Sequence, residues 1–167
     1  MKTKLFIILM VISSCLVTSC GTMIGVQGTP EMRTFEKIIE VPNKSKADIY
    51  ISANTWFVEN FNSAESVIEF QDKESGKIMG KYVYTYIDGI YNQMVKQIIS
   101  IDIKDGKARL FISEPCLKTI GDALNGIYIK TNNYKPLTTL KGLQKANEEW
   151  DKLALSLDDA LNTTLSW

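Results

Sequence analysis

Residues 34–41, TFEKIIEV, alternate between apolar and polar, with Phe35, Ile39 and Val41 on one side and Lys37 as the exception. That is the period of a half-buried strand, and Pro42 ends it because proline has no N–H to give to a ladder. The period then changes. Ser45 followed by Asp48 is a variant of the capping box. Behind it Ile49, Ala53, Trp56, Phe57 and Phe61 fall at i, i+4, i+7, i+8 and i+12, one apolar stripe on a helix of roughly four turns. Alternation returns over 66–71, then over 77–86, where Ile78, Gly80, Tyr82, Tyr84 and Tyr86 share a side. It returns again over 94–104, where Ile99, Ile101 and Ile103 do. The stretch 72–76 reads as a turn, and Asp88, Gly89 and Asn92 mark a loop.

Asp105-Gly106 is a strong hairpin signal. A two-residue turn there sets Lys104 against Lys107, Ile103 against Ala108, Asp102 against Arg109, Ile101 against Leu110 and Ile99 against Ile112. The apolar residues all reach one side, and Asp102 and Arg109 meet on the other as a cross-strand charge pair. Residues 114–136 are less regular: 121–124 reads as a helical turn and 127–129 as a short extended piece. From 138 to about 165, Leu143, Asn147, Trp150, Ala154, Leu157 and Leu161 follow the 3-4 spacing of a long amphipathic helix, and Glu148, Glu149, Asp151, Asp158 and Asp159 lie mostly off that stripe.

The N-terminus has a different pattern. Lys2 and Lys4 precede an apolar run from Leu5 to Val17 interrupted only by Ser13, Ser14 and Cys15. A basic start and a short apolar core make a secretory signal, and the run is too short for a spanning helix, which needs about 20 apolar residues. Val17-Thr18-Ser19-Cys20 resembles the lipobox of bacterial lipoproteins, in which the cysteine thiol receives a diacylglycerol and the chain is cut before it. Ile12-Ser13-Ser14-Cys15 fits the same pattern but leaves only 5–11 as apolar core, so Cys20 is the expected lipid site and Cys15 is discarded. The expected organisation is a signal peptide over 1–19, a lipidated tether over 20–33 without periodicity, and one domain over 34–167.

Composition narrows the chemistry. The chain has 167 residues, 19 basic and 19 acidic side chains, three cysteines and no histidine. Without histidine there is neither a Ser-His-Asp nor a Cys-His arrangement, nor a zinc site that uses imidazole. Removal of 1–19 takes Lys2 and Lys4 and leaves acids in slight excess, with none of the clustered Lys and Arg of a nucleic-acid surface. Cys116 is then the sole thiol, read as a small buried hydrophobe.

Two long helices on one face of an antiparallel sheet of about five strands, in the order β-α-β-β-β-β-α, make an α+β two-layer domain. The segments SKADIYISANTWFVENFNSAESVIEFQDKESGKIMGK (45–81) and IDIKDGKARLFIS (101–113) resemble a domain of unknown function found in exported lipoproteins of Gram-negative bacteria. The resemblance spans 34–113 and implies a fold similar to the TATA-box-binding protein (TBP-like). It implies no known activity, and a likeness of fold does not carry function.

The candidate sites follow. Gly76 to Lys81 has three residues between its glycines where a P-loop has four, and Tyr82 where a P-loop has Ser or Thr; it reads as strand. Tyr82, Tyr84 and Tyr86 form a ladder that is either core, if it faces the helices, or a partner surface, if it does not. Glu148 and Asp151 share a helix face, but acids on the polar side of a helix are ordinarily solvated. Phe111 is a candidate on the sheet face turned away from the helices. The expectation is a non-enzymatic, lipid-anchored envelope protein, held to the outer membrane through Cys20 and facing the periplasm. It would bind an envelope protein or polymer, with no cofactor, no metal and no nucleic acid. A carboxylate-dependent glycan hydrolase and a structural oligomer are the alternatives.

Overall fold

The structure, a computed structural model, describes residues 25–61, 67–122, 124–128 and 133–163. Seven strands form one antiparallel sheet: β1 (Thr34–Glu40), β2 (Val67–Asp72), β3 (Lys77–Asp88), β4 (Tyr91–Lys104), β5 (Lys107–Asp122), β6 (Ile127–Tyr128) and β7 (Lys135–Pro136). The order across the sheet is β1-β5-β4-β3-β2, with β6 and β7 paired to the second half of β5. Two helices, α1 (Lys46–Asn60) and α2 (Leu140–Asn162), pack on one face. The α+β architecture expected from the sequence is present, with two short strands beyond the expected five.

The local signals act as expected. Ser45 caps α1: its Oγ accepts from Asp48 N at 3.2 Å and donates to the Asp48 carboxylate at 2.6 Å. A Ser45→Ala change is expected to cost about 1 kcal/mol, read as a lowered urea midpoint. The Asp105-Gly106 turn sets the register derived above, Asp102 to Arg109 and Ile99 to Ile112 included. The α1 stripe is wholly buried, as is the α2 stripe except Asn147, which is half-buried and donates to Met32 O and Leu143 O.

Two expectations are corrected. Residues 88–92 are not an open loop: β3 and β4 continue to a tight turn at Gly89-Ile90, with Asp88 opposite Tyr91. And 114–122 is not irregular, nor is 121–124 a helical turn, because β5 runs on to Asp122 and 124–126 is a turn into β6. The reason is a bulge. Lys96 pairs with Cys116 and Ile98 with Ser113, so Gln97 opposes both Glu114 and Pro115, and Glu114 takes φ 57°. The extra residue bends the strand and re-phases its alternation. The first half of β5 pairs with β1 and the second with β7 and β6.

The core lies between sheet and helices. Ile39, Ile78, Ile99, Ile101, Leu110 and Ile112 of the sheet meet Trp56 and Phe57 of α1 and Leu143, Trp150 and Leu157 of α2. Trp56 and Trp150 each have their polar atom satisfied, Trp56 Nε1 donating to Ser156 Oγ at 3.0 Å and Trp150 Nε1 to Gln97 Oε1 at 2.7 Å.

Candidate functional site

Because strand side chains alternate between faces, the register that buries Leu110 and Ile101 turns Arg109, Phe111, Ser100 and Asp102 outward. Among the described residues no helix covers that side. One row across it reads Glu36, Phe111, Ser100 and Met79, and the next Ile38, Arg109, Asp102 and Lys77. Asp102 accepts from Arg109 at 2.6 Å and stands 3.6 Å from Lys77. The Asp102 carboxylate, by hydrogen bond and then by charge, holds the guanidinium proton more firmly than usual. These groups are partly or well exposed, and such pairs contribute little to stability; they fix side-chain positions on the surface.

Two shallow depressions lie on this face. The larger, about 270 Å³, is lined by Ile38, Asp102, Lys104, Lys107, Ala108 and Arg109. The smaller, about 200 Å³, is lined by Glu36, Lys77, Ser100, Asp102, Arg109 and Phe111. Ile38 is more than half exposed, and Phe111 is half-buried. Further along the same face Lys96 Nζ and Lys118 Nζ stand 4.2 and 4.8 Å from the centre of the Tyr134 ring.

The tyrosine ladder does not belong to this surface. Tyr82, Tyr84 and Tyr86 have the parity of Ile78 and face the helices, opposite to Phe111. Tyr82 stacks on Tyr84 at 6.1 Å and Tyr84 meets Tyr86 tilted at 6.5 Å, Phe61 packs on Tyr82, and Tyr82 Oη donates to Glu149 Oε1 of α2 at 3.0 Å. Burial first, and the Glu149 charge second, push the Tyr82 hydroxyl well above its usual pKa. As a partner surface shared with Phe111 the three tyrosines are therefore excluded by strand parity.

The other sequence candidates stand apart from the depressions. Glu148 pairs with Lys145 at 2.6 Å, Glu149 is taken by Tyr82 and Lys152, and Asp158 lies 4.0 Å from Lys37. Gly76 is the end of a turn and 77–81 is strand, as the failed P-loop spacing implied. Cys116 is half-buried rather than buried, opposite Lys96 and Pro136. The expected signal peptide, Cys20 and the tether residues up to Ile24 lie outside the described residues. Among the described residues no three His, Cys, Asp or Glu come together as a metal site requires, and no helix is long and apolar enough to cross a membrane.

Comparison with known proteins agrees with this architecture. Over 86% of its length the chain is similar to a DUF4468 family protein from Bacteroides ovatus, whose crystal structure it matches over 95% of that chain with a TM-score of 0.59 at 18% identity. It is also similar to a TBP-like protein from Parabacteroides distasonis, covering 77% of this chain and 91% of that one, with a TM-score of 0.60 at 16% identity. At such identities the likeness is one of fold. No curated protein matches the chain. Residues 35–115, which run from the first strand through the bulge of β5, match the family described as a domain of unknown function with TBP-like fold, and this chain carries that domain, DUF4468.

Proposed function

We propose that this protein is a lipid-anchored component of the cell envelope that binds a partner protein or envelope polymer through the sheet face turned away from its helices. The observation that carries the reading is that uncovered face, where Phe111 and Ile38 lie among fixed charges over two adjoining depressions. An apolar centre rimmed by polar groups is the usual make-up of a recognition surface. The anchor is Cys20, set behind a signal sequence; several acyl chains hold a protein where one binds only marginally. The face mixes Glu36, Glu40 and Asp102 with its lysines and arginine, unlike the uniformly basic stripe that phosphate backbones require. The paired-carboxylate alternative gains nothing here, since none of the acids of α2 lines either depression.

The test is affinity capture from envelope extracts with the chain and with its Phe111→Glu and Arg109→Glu variants. Wild type is expected to enrich the same species reproducibly, and each variant to lose at least ten-fold of it while unfolding at the wild-type midpoint. Enrichment equal in all three would remove this face from the proposal. Cys20→Ala is expected to abolish labelling by radioactive palmitate; persistent labelling would move the anchor to Cys15.

A further inference from the structure

The two ends of the sheet differ in a way that the open face does not explain. At one end lie the turns 73–76 and 105–106 and the chain around Pro42, joined by bonds from Val41 N to Gly106 O, Gly106 N to Lys44 O and Ile103 N to Gly76 O. Their residues are polar: Lys44, Lys73, Glu74, Lys104, Asp105 and Lys107. At the other end lie the β3–β4 and β5–β6 turns, and both carry the same ending, Asp88-Gly89-Ile90-Tyr91 and Asn125-Gly126-Ile127-Tyr128. Register makes them neighbours, because Asp88 pairs with Tyr91, Tyr91 with Asp122 and Asp122 with Ile127.

Large apolar side chains project into solvent there. Tyr128 is 85% exposed, Leu124 76%, Ile87 65% and Ile127 57%, and Ile90 and Tyr91 are above 40%. Half of the exposed large hydrophobic residues among the described ones thus sit on two adjacent turns. Singly exposed apolar residues need no explanation, but a cluster does. Tight turns are ordinarily built from polar residues, so this one is contrary to local preference.

The start of the described chain is at this same end. Gly25 lies 3.7 Å, measured from its Cβ position, from Thr139; Leu140 N donates to Val26 O at 2.7 Å; and the next residue, Lys141, is bonded to Asp88 at 2.5 Å. Cys20 precedes Gly25 by five residues, a reach of at most about 18 Å. Whatever surface holds Cys20 therefore faces the apolar turns and not the polar ones. Tyrosine beside aliphatic side chains is also the composition favoured at the headgroup level of a bilayer, where one end of the ring is apolar and the other wet.

We infer that the β3–β4 and β5–β6 turns rest in the headgroup layer of the membrane that holds Cys20, so that the domain stands on the bilayer by three points, one covalent and two apolar. The inference relies on the Cys20 anchor proposed above. It adds an orientation: the strands run away from the membrane, and the open face with Phe111 stands roughly perpendicular to it, accessible from the side.

The experiment uses the full chain, processed and acylated in cells, purified and reconstituted in vesicles of phosphatidylethanolamine and phosphatidylglycerol. With Cys116→Ser as background, single cysteines at Ile90, Leu124, Leu155 and Lys107 are labelled with bimane, and a fraction of the lipid carries a doxyl quencher. Quenching at positions 90 and 124 is expected to exceed that at 155 and 107 at least three-fold. The label at 124 is expected to lose that excess when Ile90→Ser and Tyr128→Ser are added. Equal quenching at all four positions, with palmitate labelling of Cys20 intact, overturns the orientation and leaves the anchor standing. Absence of palmitate labelling removes the anchor and this inference with it. Crosslinking of position 124 to a protein rather than to lipid in whole envelopes also overturns it, in favour of a partner.

Discussion

Trp150→Ala is expected to lower the free energy of unfolding by about 3–5 kcal/mol, the usual range for a buried tryptophan. The side chain is fully enclosed at the middle of α2, where it packs against Phe35 at 6.1 Å and donates to Gln97 at 2.7 Å. It spans the layers between helix and sheet, so truncation leaves a cavity that rigid strands on one side cannot close. The hydrogen bond is a separable part of this loss. Gln97 is itself buried, and its Nε2 has no partner among the described residues. Gln97→Leu strands the indole N–H, a cost of about 1–3 kcal/mol, offset in part because an unpaired amide donor disappears with it. Trp150→Phe strands Gln97 Oε1 in the same way. The double change Trp150→Phe with Gln97→Leu removes both groups, so its cost is expected to fall short of the sum of the singles by about 1 kcal/mol or more. Urea unfolding of the four proteins measures the cycle. Strict additivity would show that the bond contributes nothing beyond packing.

That pair also marks where the sequence stopped being legible. Trp150 is on the 3-4 stripe of a long helix, and its burial follows from spacing alone. Its partner does not, because Gln97 lies in an alternating strand where a polar residue on the apolar side reads as an interruption. Gln97 keeps the parity of Val95 and Ile99 and so lies under the helix, opposite the bulge at Glu114-Pro115, where a non-glycine residue at φ 57° gives no composition signal. The same bulge hid the second half of β5 and with it the β5–β6 turn. The first half was legible because Asp105-Gly106 and the alternation on both sides agreed on one register, and two independent signals that agree leave little freedom. Phe111 came out on the open face for that reason. The tyrosine ladder could not be assigned from its own strand, since period two names two faces without saying which one a helix covers; the covering helices belong to distant parts of the chain. The apolar turns were missed differently. Asp88-Gly89 is the same dipeptide as Asp105-Gly106, but the turn lies one residue later, at Gly89-Ile90, with apolar Ile90 and Tyr91 where polar residues are usual, so the stretch reads as loop.

Gly76→Ala is expected to destabilise the fold by about 2–4 kcal/mol, from two effects that can be told apart. Gly76 ends the β2–β3 turn at φ 75°, a conformation that costs an L-residue about 1–2 kcal/mol. A Cβ there would also lie 2.5 Å from Ile103 O and 2.6 Å from Lys46 Cε. The lysine can swing away, but Ile103 O is backbone of the central strand β4, and Gly76 O accepts from Ile103 N at 2.7 Å. Relief of the clash therefore stretches the bond that holds this turn to the next. Gly106 and Gly89 supply the controls. Both have positive φ, at 74° and 60°, and nothing among the described residues lies within 4 Å of a Cβ at either. Their alanine variants are expected to show the conformational cost alone, about 1–2 kcal/mol. The excess at Gly76 over Gly106 in urea midpoints, scaled by a common m-value, then measures the clash. Equal losses at all three positions would mean that the turn moves freely against β4, and that the polar end of the sheet is not the rigid end that its hydrogen bonds imply.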